Sequence, residues 1–349
     1  MTALDFSTPP RRILIIKPSA IGDIVHALPV LSLLRRRWPE AKISWIVTPA
    51  CATLLEGHPL LDELIVFNRR RYGHAWRSPT AMWALWRAAF DLYQHRFDLV
   101  IDLQGLFRSG WMAWQTRAPI RIGYSMAREG GWAFYTHRVP GTPLSMQAVE
   151  RYLKMADALG LGREPVEFVF ATNDADRASV AAKLPPMAAG ARFAVLLPGT
   201  NWATKRWPVE HFAALVQPIR ERFGFETIVA GGPGDAELAA HIAAPSLAGK
   251  TSLRELVALL ERADLVIAND SGPMHIAAAL GRPLVALYGP TSASRTGPHG
   301  RMESVLSVDI PCAPCYSRKC SHQSCLRWIT PEMVLKLAAE QLYSFSRAP

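Results

Sequence analysis

Asp23 is the only acid in the segment Lys17–Asp23 (KPSAIGD), which follows an apolar run and leads into a helix predicted to begin near Ile24. A carboxylate here could simply cap the helix, because acidic side chains favour helix N-termini. It could also accept a proton from an incoming hydroxyl group, as a general base does. Ser19 and Gly22 belong to the small turn that presents this acid. The turn lacks both the Gly-Lys-Ser/Thr ending of a Walker A loop and the three spaced glycines of a dinucleotide-binding loop.

The segment Leu197–Pro208 (LPGTNWATKRWP) gathers groups that suit an anionic diphosphate. A helix is predicted to begin near Pro208, so backbone amides, hydroxyl groups and a lysine come together at a helix start. The alternative is a polar surface loop with a tryptophan packed beneath it. The candidate contacts in this segment are Gly199, Thr200, Asn201 and Lys205.

The segment Asn269–Pro283 (NDSGPMHIAAALGRP) is the most informative of the sequence. A helix is predicted from Pro273 to Gly281, so Ser271 and Gly272 lie where free amides and the positive end of the helix dipole attract phosphate. His275, in the first turn, could bind phosphate or only satisfy the helix end.

A glycine-rich segment, Gly231–Glu237 (GGPGDAE), follows another predicted strand. Glycines after a strand often indicate no more than a tight turn. An acid in this position could also hold the hydroxyl pair of a ribose. Asp235 and Glu237 both qualify.

These segments follow strands of an alternating pattern. Short apolar runs separated by stretches of helical periodicity are typical of a parallel sheet covered on both faces, so the sequence predicts an α/β fold. Ligands of such sheets bind beyond the carboxyl ends of the strands. The predicted strands are Arg12–Lys17, Lys42–Val47, Glu63–Phe67, Asp98–Leu103, Phe193–Leu197, Glu226–Ala230, Asp264–Ala268 and Leu284–Tyr288. The predicted helices include His26–Trp38, Ala81–Tyr93, Ala148–Leu159, one capped by Ser252 and Glu255, and one opened by Thr330.

Two such series follow one another, which predicts two doubly wound, Rossmann-like domains. The N-terminal domain covers residues 1–170 and the C-terminal domain residues 191–329. An Ala- and Pro-rich stretch predicts a linker at 171–190. A final helix within 330–349 is expected to pack back across the domains.

Composition narrows the class of protein. Half of the residues are hydrophobic and 19% are charged, which fits packed globular domains. No apolar run is long enough to span a bilayer and the first residues lack the order of a secretory signal, so we expect a cytoplasmic protein. Residues 1–165 hold 21 Lys and Arg against 13 Asp and Glu, whereas residues 166–349 hold 18 against 16. Since no nucleic-acid-binding motif is present, this excess favours a phosphorylated lipid or membrane surface over nucleic acid, with simple solubility as the alternative.

Four cysteines form a cluster near the C-terminus with the spacing C-x2-C-x4-C-x4-C. In a cytoplasmic protein such a cluster suggests a structural Zn²⁺ or rubredoxin-like iron site remote from catalysis. Reduced thiols or a redox-formed disulfide are the alternative. The four residues are Cys312, Cys315, Cys320 and Cys325.

Three segments, taken in order, resemble glycosyltransferase family 9, the ADP-heptose:lipopolysaccharide heptosyltransferases. They are Ile15–Leu31 (IIKPSAIGDIVHALPVL), Leu197–Pro208 and Asn269–Thr291 (NDSGPMHIAAALGRPLVALYGPT). The resemblance spans nearly the whole chain. It implies a GT-B fold, in which two Rossmann-like domains face a central cleft, with the acceptor on the N-terminal domain and the donor on the C-terminal domain.

The resemblance also implies an inverting transfer of heptose from an ADP-sugar. Asp23 would be the general base, and Thr200 and Lys205 would contact the donor phosphates. Asp270, together with Ser271, Gly272 and His275, would hold the diphosphate and the transferred heptose. An acid at Asp235 or Glu237 would contact the ribose. No catalytic metal is required.

The implied acceptor is an anionic, lipid-linked core that bears phosphate or Kdo at the inner face of the inner membrane, where the protein would be peripheral. Aromatic side chains on the helix at 81–93 could touch that membrane, although a tryptophan stripe more often belongs to a core. The aromatic residues are Trp83, Trp86 and Phe90, and the flanking arginines are Arg77, Arg87 and Arg96.

Other functions stay open. A sugar-nucleotide epimerase of GT-B fold would share the phosphate loops and act on the donor alone. A non-catalytic sugar-nucleotide-binding protein would not need both Asp23 and Lys205. The missing glycine fingerprint disfavours a nicotinamide dehydrogenase. Within the family, the first segment looks like the enzyme that adds the first heptose, whereas the DSGPMH loop and the cysteines look like the second-heptose group.

Overall fold

The computed structural model describes residue 4 and residues 6–68, 78–188 and 190–347. The chain forms two compact units, Met1–Ala171 and Thr172–Pro349, each built on one parallel sheet with helices. The predicted α/β fold class is confirmed. Every predicted strand is present, and its ends differ from the prediction by one residue at most.

The first unit contains a six-stranded parallel sheet. Its strands are β1 (Arg12–Ile16), β2 (Lys42–Val47), β3 (Glu63–Val66), β4 (Leu99–Asp102), β5 (Ile120–Tyr124) and β6 (His137–Val139). Their order in the sheet is β3-β2-β1-β4-β5-β6. The three central strands are almost wholly buried, which explains their continuous apolar sequences. Because β1 pairs with β2 on one side and β4 on the other, its carboxyl end lies at the point where the strand order reverses.

Among the described residues, the helices of this unit are α1 (Ile21–Arg37), α2 (Pro49–Ala52), α3 (Pro79–Gln94), α4 (Phe107–Gln115) and α5 (Ala148–Ala158). Helix α1 begins earlier than predicted, so Gly22 and Asp23 lie in its first turn. Arginines in its last turn complement the negative end of the helix dipole. Leu33 of α1 packs against Val149 and Leu153 of α5. This contact holds α5 against α1.

The second unit contains a five-stranded parallel sheet. Its strands are β7 (Phe193–Leu197), β8 (Glu226–Val229), β9 (Leu265–Asn269), β10 (Leu284–Leu287) and β11 (Val305–Leu306). Their order in the sheet is β11-β10-β9-β7-β8. Its helices are α6 (Asp174–Lys183), α7 (Val209–Ala213), α8 (Val216–Phe223), α9 (Ala236–Ala240), α10 (Leu253–Arg262), α11 (Gly272–Ala279), α12 (Ala293–Thr296), α13 (Ser324–Arg327) and α14 (Pro331–Ser346). The predicted cap of α10 is confirmed, because the Ser252 hydroxyl accepts a hydrogen bond from the Glu255 amide.

Residues 171–190, which the sequence predicts to be a linker, include helix α6. Asn173 and Asp176 cap this helix reciprocally, and Asp176 forms an ion pair of 2.6 Å with Arg254 of α10. Helix α6 therefore packs within the second unit. Helix α14 is capped by Thr330 as predicted, and its Val334 belongs to the core of the same unit. Its packing across both domains stays a prediction.

Candidate functional site

Asp23 stands beside the end of β1, where the sheet of the first unit reverses its strand order. Its side chain is 42% exposed, and its Oδ2 lies 3.4 Å from Nζ of Lys17. The same oxygen accepts a hydrogen bond of 3.2 Å from the amide of Ala20, so Asp23 does cap the helix. The cap uses Oδ2 of a side chain that is only half-buried. Capping and proton acceptance are therefore compatible in one residue.

Lys17 is a buried lysine that the sequence analysis did not identify as functional. Only 2% of its side chain is exposed, and its Nζ lies 5.4 Å from the ring centre of Tyr152. Burial lowers the pKa of Lys17, and Asp23 opposes that shift. For Asp23, burial raises the pKa, but the positive charges of Lys17 and His26 outweigh it and bring the pKa below its ordinary value. Asp23 is thus held as a carboxylate at neutral pH, which is the form that a base requires.

In the second unit, Lys205 and Asp270 are brought together as an ion pair of 2.6 Å. Lys205 also donates a hydrogen bond of 3.1 Å to the backbone carbonyl of Asp270. The hydroxyl of Thr291 donates to the Asp270 carboxylate at 2.6 Å. Two of the predicted donor contacts, far apart in sequence, therefore form one polar centre at the end of β9.

The predicted loop after β7 is tied to the same strand end by a residue that was not singled out. Asn269 is fully buried. Its side chain donates a hydrogen bond of 2.8 Å to the carbonyl of Pro198 and accepts one of 3.1 Å from the amide of Trp207. The Thr200 hydroxyl is committed to its own loop, where it donates to the Trp202 carbonyl at 2.6 Å, and Asn201 is exposed. A buried side-chain amide whose NH₂ and C=O groups are both hydrogen-bonded to a loop holds that loop in one conformation, so Asn269 positions this loop.

The start of α11 keeps hydrogen-bonding capacity for a ligand. Ser271 is the N-cap residue of this helix but makes no side-chain cap, and its buried hydroxyl has no partner among the described residues. Helix α11 begins at Gly272, one residue before the prediction, so the first-turn amides follow directly. His275 is buried within the helix. Free amides and an unpaired hydroxyl at a helix N-terminus are suited to phosphate oxygens.

Asp235 lies against the loop after β7, which distinguishes it from the other acid considered for the ribose. A Cβ atom on Gly199 would come within 2.1 to 2.3 Å of the Asp235 carboxyl group. The same carboxylate accepts a hydrogen bond of 2.8 Å from the amide of Gly232. Glu237 is exposed in the next helix. This geometry favours Asp235 as the ribose contact.

We expect Gly199→Ala to displace the Asp235 carboxylate and to weaken ADP binding about tenfold or more, because overpacking at a close contact costs about 1–3 kcal/mol. Calorimetry with ADP measures the effect. Gly234→Ala is the matched control, because a Cβ there would meet no atom within 4 Å. Equal ADP affinity in wild type and Gly199→Ala would remove Asp235 and this contact from the donor site.

The four clustered cysteines line one cavity of about 340 Å³ together with His322. The backbone amide of Ser317 donates to Sγ of Cys315 at 3.5 Å, and that of Gln323 donates to Sγ of Cys320 at 3.4 Å. Within the described part of the chain, however, no three His, Cys, Asp or Glu side chains are arranged to hold a metal ion. The Zn or Fe site stays a prediction.

Comparison with known proteins identifies the family of this chain. The family profile described as Glycosyltransferase family 9 (heptosyltransferase) matches residues 82–326. Lipopolysaccharide heptosyltransferase 1 of Pseudomonas aeruginosa is 31% identical over 321 residues, which cover 89% of this chain and 88% of that protein. The crystal structure of a family 9 glycosyltransferase from Veillonella parvula superposes with a TM-score of 0.82 at 25% identity, covering 98% of this chain and 99% of that one.

Heptosyltransferase WaaC of E. coli, solved with ADP-2-deoxy-2-fluoro heptose, superposes with a TM-score of 0.73 at 27% identity, covering 94% of this chain and 99% of that one. These matches confirm the predicted resemblance and the GT-B fold class. The matches extend over both units. The chain belongs to glycosyltransferase family 9, the heptosyltransferases.

Proposed function

We propose that this protein transfers a heptose from an ADP-heptose to the inner core of lipopolysaccharide, with inversion at the anomeric carbon and with Asp23 as the general base. The observation that carries this proposal is the Lys17–Asp23 pair at 3.4 Å, which keeps the exposed carboxylate ionised. The names of the relatives supply the substrates, since they are lipopolysaccharide heptosyltransferases and one was solved with an ADP-heptose analogue.

In the proposed reaction, the acceptor hydroxyl gives its proton to Asp23 as its oxygen forms a bond to the anomeric carbon. The bond from that carbon to the β-phosphate oxygen breaks, and ADP leaves with the electron pair. Lys205 and the amides at the start of α11 would stabilise the negative charge that develops on the diphosphate.

Asp270 has a different task in this scheme, because a carboxylate repels a phosphate. Its oxygens accept hydrogen bonds and would suit the hydroxyl groups of the transferred heptose. Lys205, which lies 2.6 Å from Asp270, is then placed between the sugar and the diphosphate. Thr291 completes the orientation of Asp270 by its hydrogen bond of 2.6 Å.

A turnover assay tests this function directly. The purified protein is incubated with ADP-heptose and either a Kdo-terminated or a heptose-terminated core acceptor, and both ADP release and the acceptor mass are followed. Addition of one heptose to one acceptor decides between first- and second-heptose transfer. Conversion of the donor in the absence of any acceptor would favour an epimerase instead, and binding without turnover would favour a non-catalytic protein.

We also propose that helix α3 docks peripherally on an anionic membrane. Its aromatic side chains are at the surface, with Trp83 58% and Trp86 63% exposed, so the alternative that they belong to a core is wrong. Trp86 stacks on Phe90 at 5.6 Å, and the guanidinium of Arg87 lies 5.5 Å from the ring centre of Trp83. Aromatic rings beside a cation suit the interface of an anionic bilayer.

Two further observations bear on this membrane proposal. No helix within the described residues is long and apolar enough to cross a bilayer. Arg96 follows the helix, whereas Arg77 lies outside the described residues. The proposed membrane association therefore rests on the surface residues of α3 and does not involve a membrane-spanning helix.

Replacing Trp83 and Trp86 together by Ser is expected to reduce binding to vesicles of anionic phospholipid severalfold, because both rings leave the interface. Co-sedimentation with anionic and with zwitterionic vesicles measures the bound fraction. Trp328→Ser is the matched control, since Trp328 is equally exposed in the second unit. Unchanged binding of the double variant, or no preference for anionic vesicles, would contradict the proposal.

A further inference from the structure

Arg151 occupies an unusual environment beside the proposed base. It projects from α5, and its guanidinium carbon lies 5.4 Å from the ring centre of Tyr124 and 5.6 Å from that of Tyr152. Tyr124 ends strand β5, and Tyr152 is fully buried. The guanidinium group is therefore flanked by two aromatic rings at the carboxyl edge of the first sheet.

The guanidinium group interacts with the side chains of both tyrosines, but it has no carboxylate partner in the described part of the chain. Within the described residues, Nε of Arg151 is buried and has no hydrogen-bond partner. None of the ion pairs among those residues includes Arg151. A half-buried cation without a carboxylate is unfavourable, because neutral neighbours replace only part of the hydration that burial removes.

The two carboxylates nearest to this group already have other partners. Asp23 is close enough to raise the pKa of both Lys17 and Arg151, but its contact is with Lys17 at 3.4 Å. Asp102, the other carboxylate near these cations, is fully buried and already accepts hydrogen bonds from the Tyr135 hydroxyl and two backbone amides. The position is suited to a second negative charge, which a ligand would have to supply.

We propose that Arg151 binds a carboxylate of the acceptor sugar and thereby places the neighbouring hydroxyl group at Asp23, an inference that rests on the proposed function. A guanidinium presents two parallel N–H groups that match the two oxygens of a carboxylate. Its location between two rings suits a planar group. Arg151 is then a binding residue for the acceptor, and specificity for an acidic sugar follows from it.

The test compares an acceptor that has a free carboxylate with the methyl ester of the same acceptor. Wild-type enzyme is expected to prefer the acid by about 10- to 100-fold in kcat/KM, as a charge-assisted hydrogen bond provides. Arg151→Met should lose this preference, so that acid and ester react at the same low rate, while KM for ADP-heptose stays unchanged. Arg151→Lys should retain part of the preference, because lysine keeps the positive charge but lacks the two parallel N–H donors of the guanidinium.

Arg138→Met is the matched control. Its guanidinium lies 4.8 Å from the ring centre of Trp132, but the side chain is exposed on β6. This variant should discriminate acid from ester as wild type does. Slower turnover of acid and ester by the same factor in Arg151→Met, with the preference intact, would overturn the proposal and make Arg151 a structural residue. Absence of any preference in wild type would also overturn it.

A binding measurement separates this inference from the proposed function. Calorimetry with a free acidic sugar such as Kdo, and with its methyl ester, requires no turnover. Wild type should bind the acid more tightly and Arg151→Met should not. If the protein transfers no heptose but shows this pattern, the proposed function fails and the carboxylate site stands; equal binding of acid by both proteins overturns the site.

Discussion

Replacing Asp23 by Asn is expected to lower the rate of heptose transfer by about 10²–10⁴-fold, the usual contribution of a general base. The affinity for ADP-heptose should change little, because the proposed donor contacts are at Lys205 and the start of α11. Asn retains an oxygen that can accept from the Ala20 amide, so the helix cap survives. Single-turnover kinetics and calorimetry with the donor measure the two quantities separately. Near-normal turnover of Asp23→Asn would remove this residue from the base role.

The pH dependence of the reaction gives a second view of the same residue. Since the pKa of Asp23 is below its ordinary value, the carboxylate is ionised throughout the neutral range, and kcat/KM should decline only as the pH falls through that lowered pKa. Because the pKa of Asp23 is lower in the folded protein than in the unfolded chain, the Lys17–Asp23 pair stabilises the fold at pH values above the ordinary pKa of aspartate. This stabilisation is lost as the pH falls through the lowered pKa of Asp23.

The variant Lys17→Met tests whether the charge of Lys17 sets the ionisation of Asp23. Without Lys17, burial acts on Asp23 with less opposition, so the pKa of Asp23 rises. The acidic limb of kcat/KM should move to higher pH, with activity recovering in alkaline solution. A profile that keeps its wild-type shape in Lys17→Met would show that Lys17 does not set the ionisation of Asp23.

The sequence could predict the sheets of both units because their central strands are buried on both faces. Such strands contain little but apolar residues, and β1, β7 and β9 are examples. Strands β5 and β6 were missed, since IRIGY and HRV contain arginine, glycine and histidine and are too short for a pattern.

The candidate site was predictable to the extent that its residues follow strands directly. Asp270 follows β9 directly, whereas Asp23 and Lys205 lie in the segments after β1 and β7, and ligands of parallel sheets bind beyond such strand ends. The pairing of Lys17 with Asp23 could not be read from the sequence, because a lysine at a strand end is ordinarily exposed. The role of Arg151 depends on tertiary contacts to β5, which had not been predicted.

Within residues 171–190, the sequence contains a helix-capping pattern that the prediction of a linker, based on composition, did not take into account. The alanines and prolines of this stretch suggested irregular structure, but Asn173 and Asp176 form the reciprocal cap of a helix. Alanine also has the highest intrinsic helix propensity. Helix α6 is thus consistent with the sequence once the cap is noticed.

Lys205→Ala is expected to weaken the binding of ADP about 10- to 150-fold, which corresponds to a charge-assisted phosphate contact of about 1.5–3 kcal/mol. Calorimetry with ADP measures this loss. The structure adds a second effect, because Lys205 is the cation that pairs with buried Asp270 at 2.6 Å. Removing one partner of a buried pair destabilises the fold, so the melting temperature should fall as well.

The double variant Lys205→Ala/Asp270→Asn distinguishes the two effects. It removes both charges, so we expect the melting temperature to recover while ADP affinity stays low. Lys183→Ala is the matched control, because Lys183 lies on helix α6 of the same unit and forms an ion pair with Glu255. Its ADP affinity should equal that of the wild type. If the double variant regained ADP affinity, Lys205 would serve only to neutralise Asp270, and the diphosphate would have to be held by the amides and hydroxyl at the start of α11.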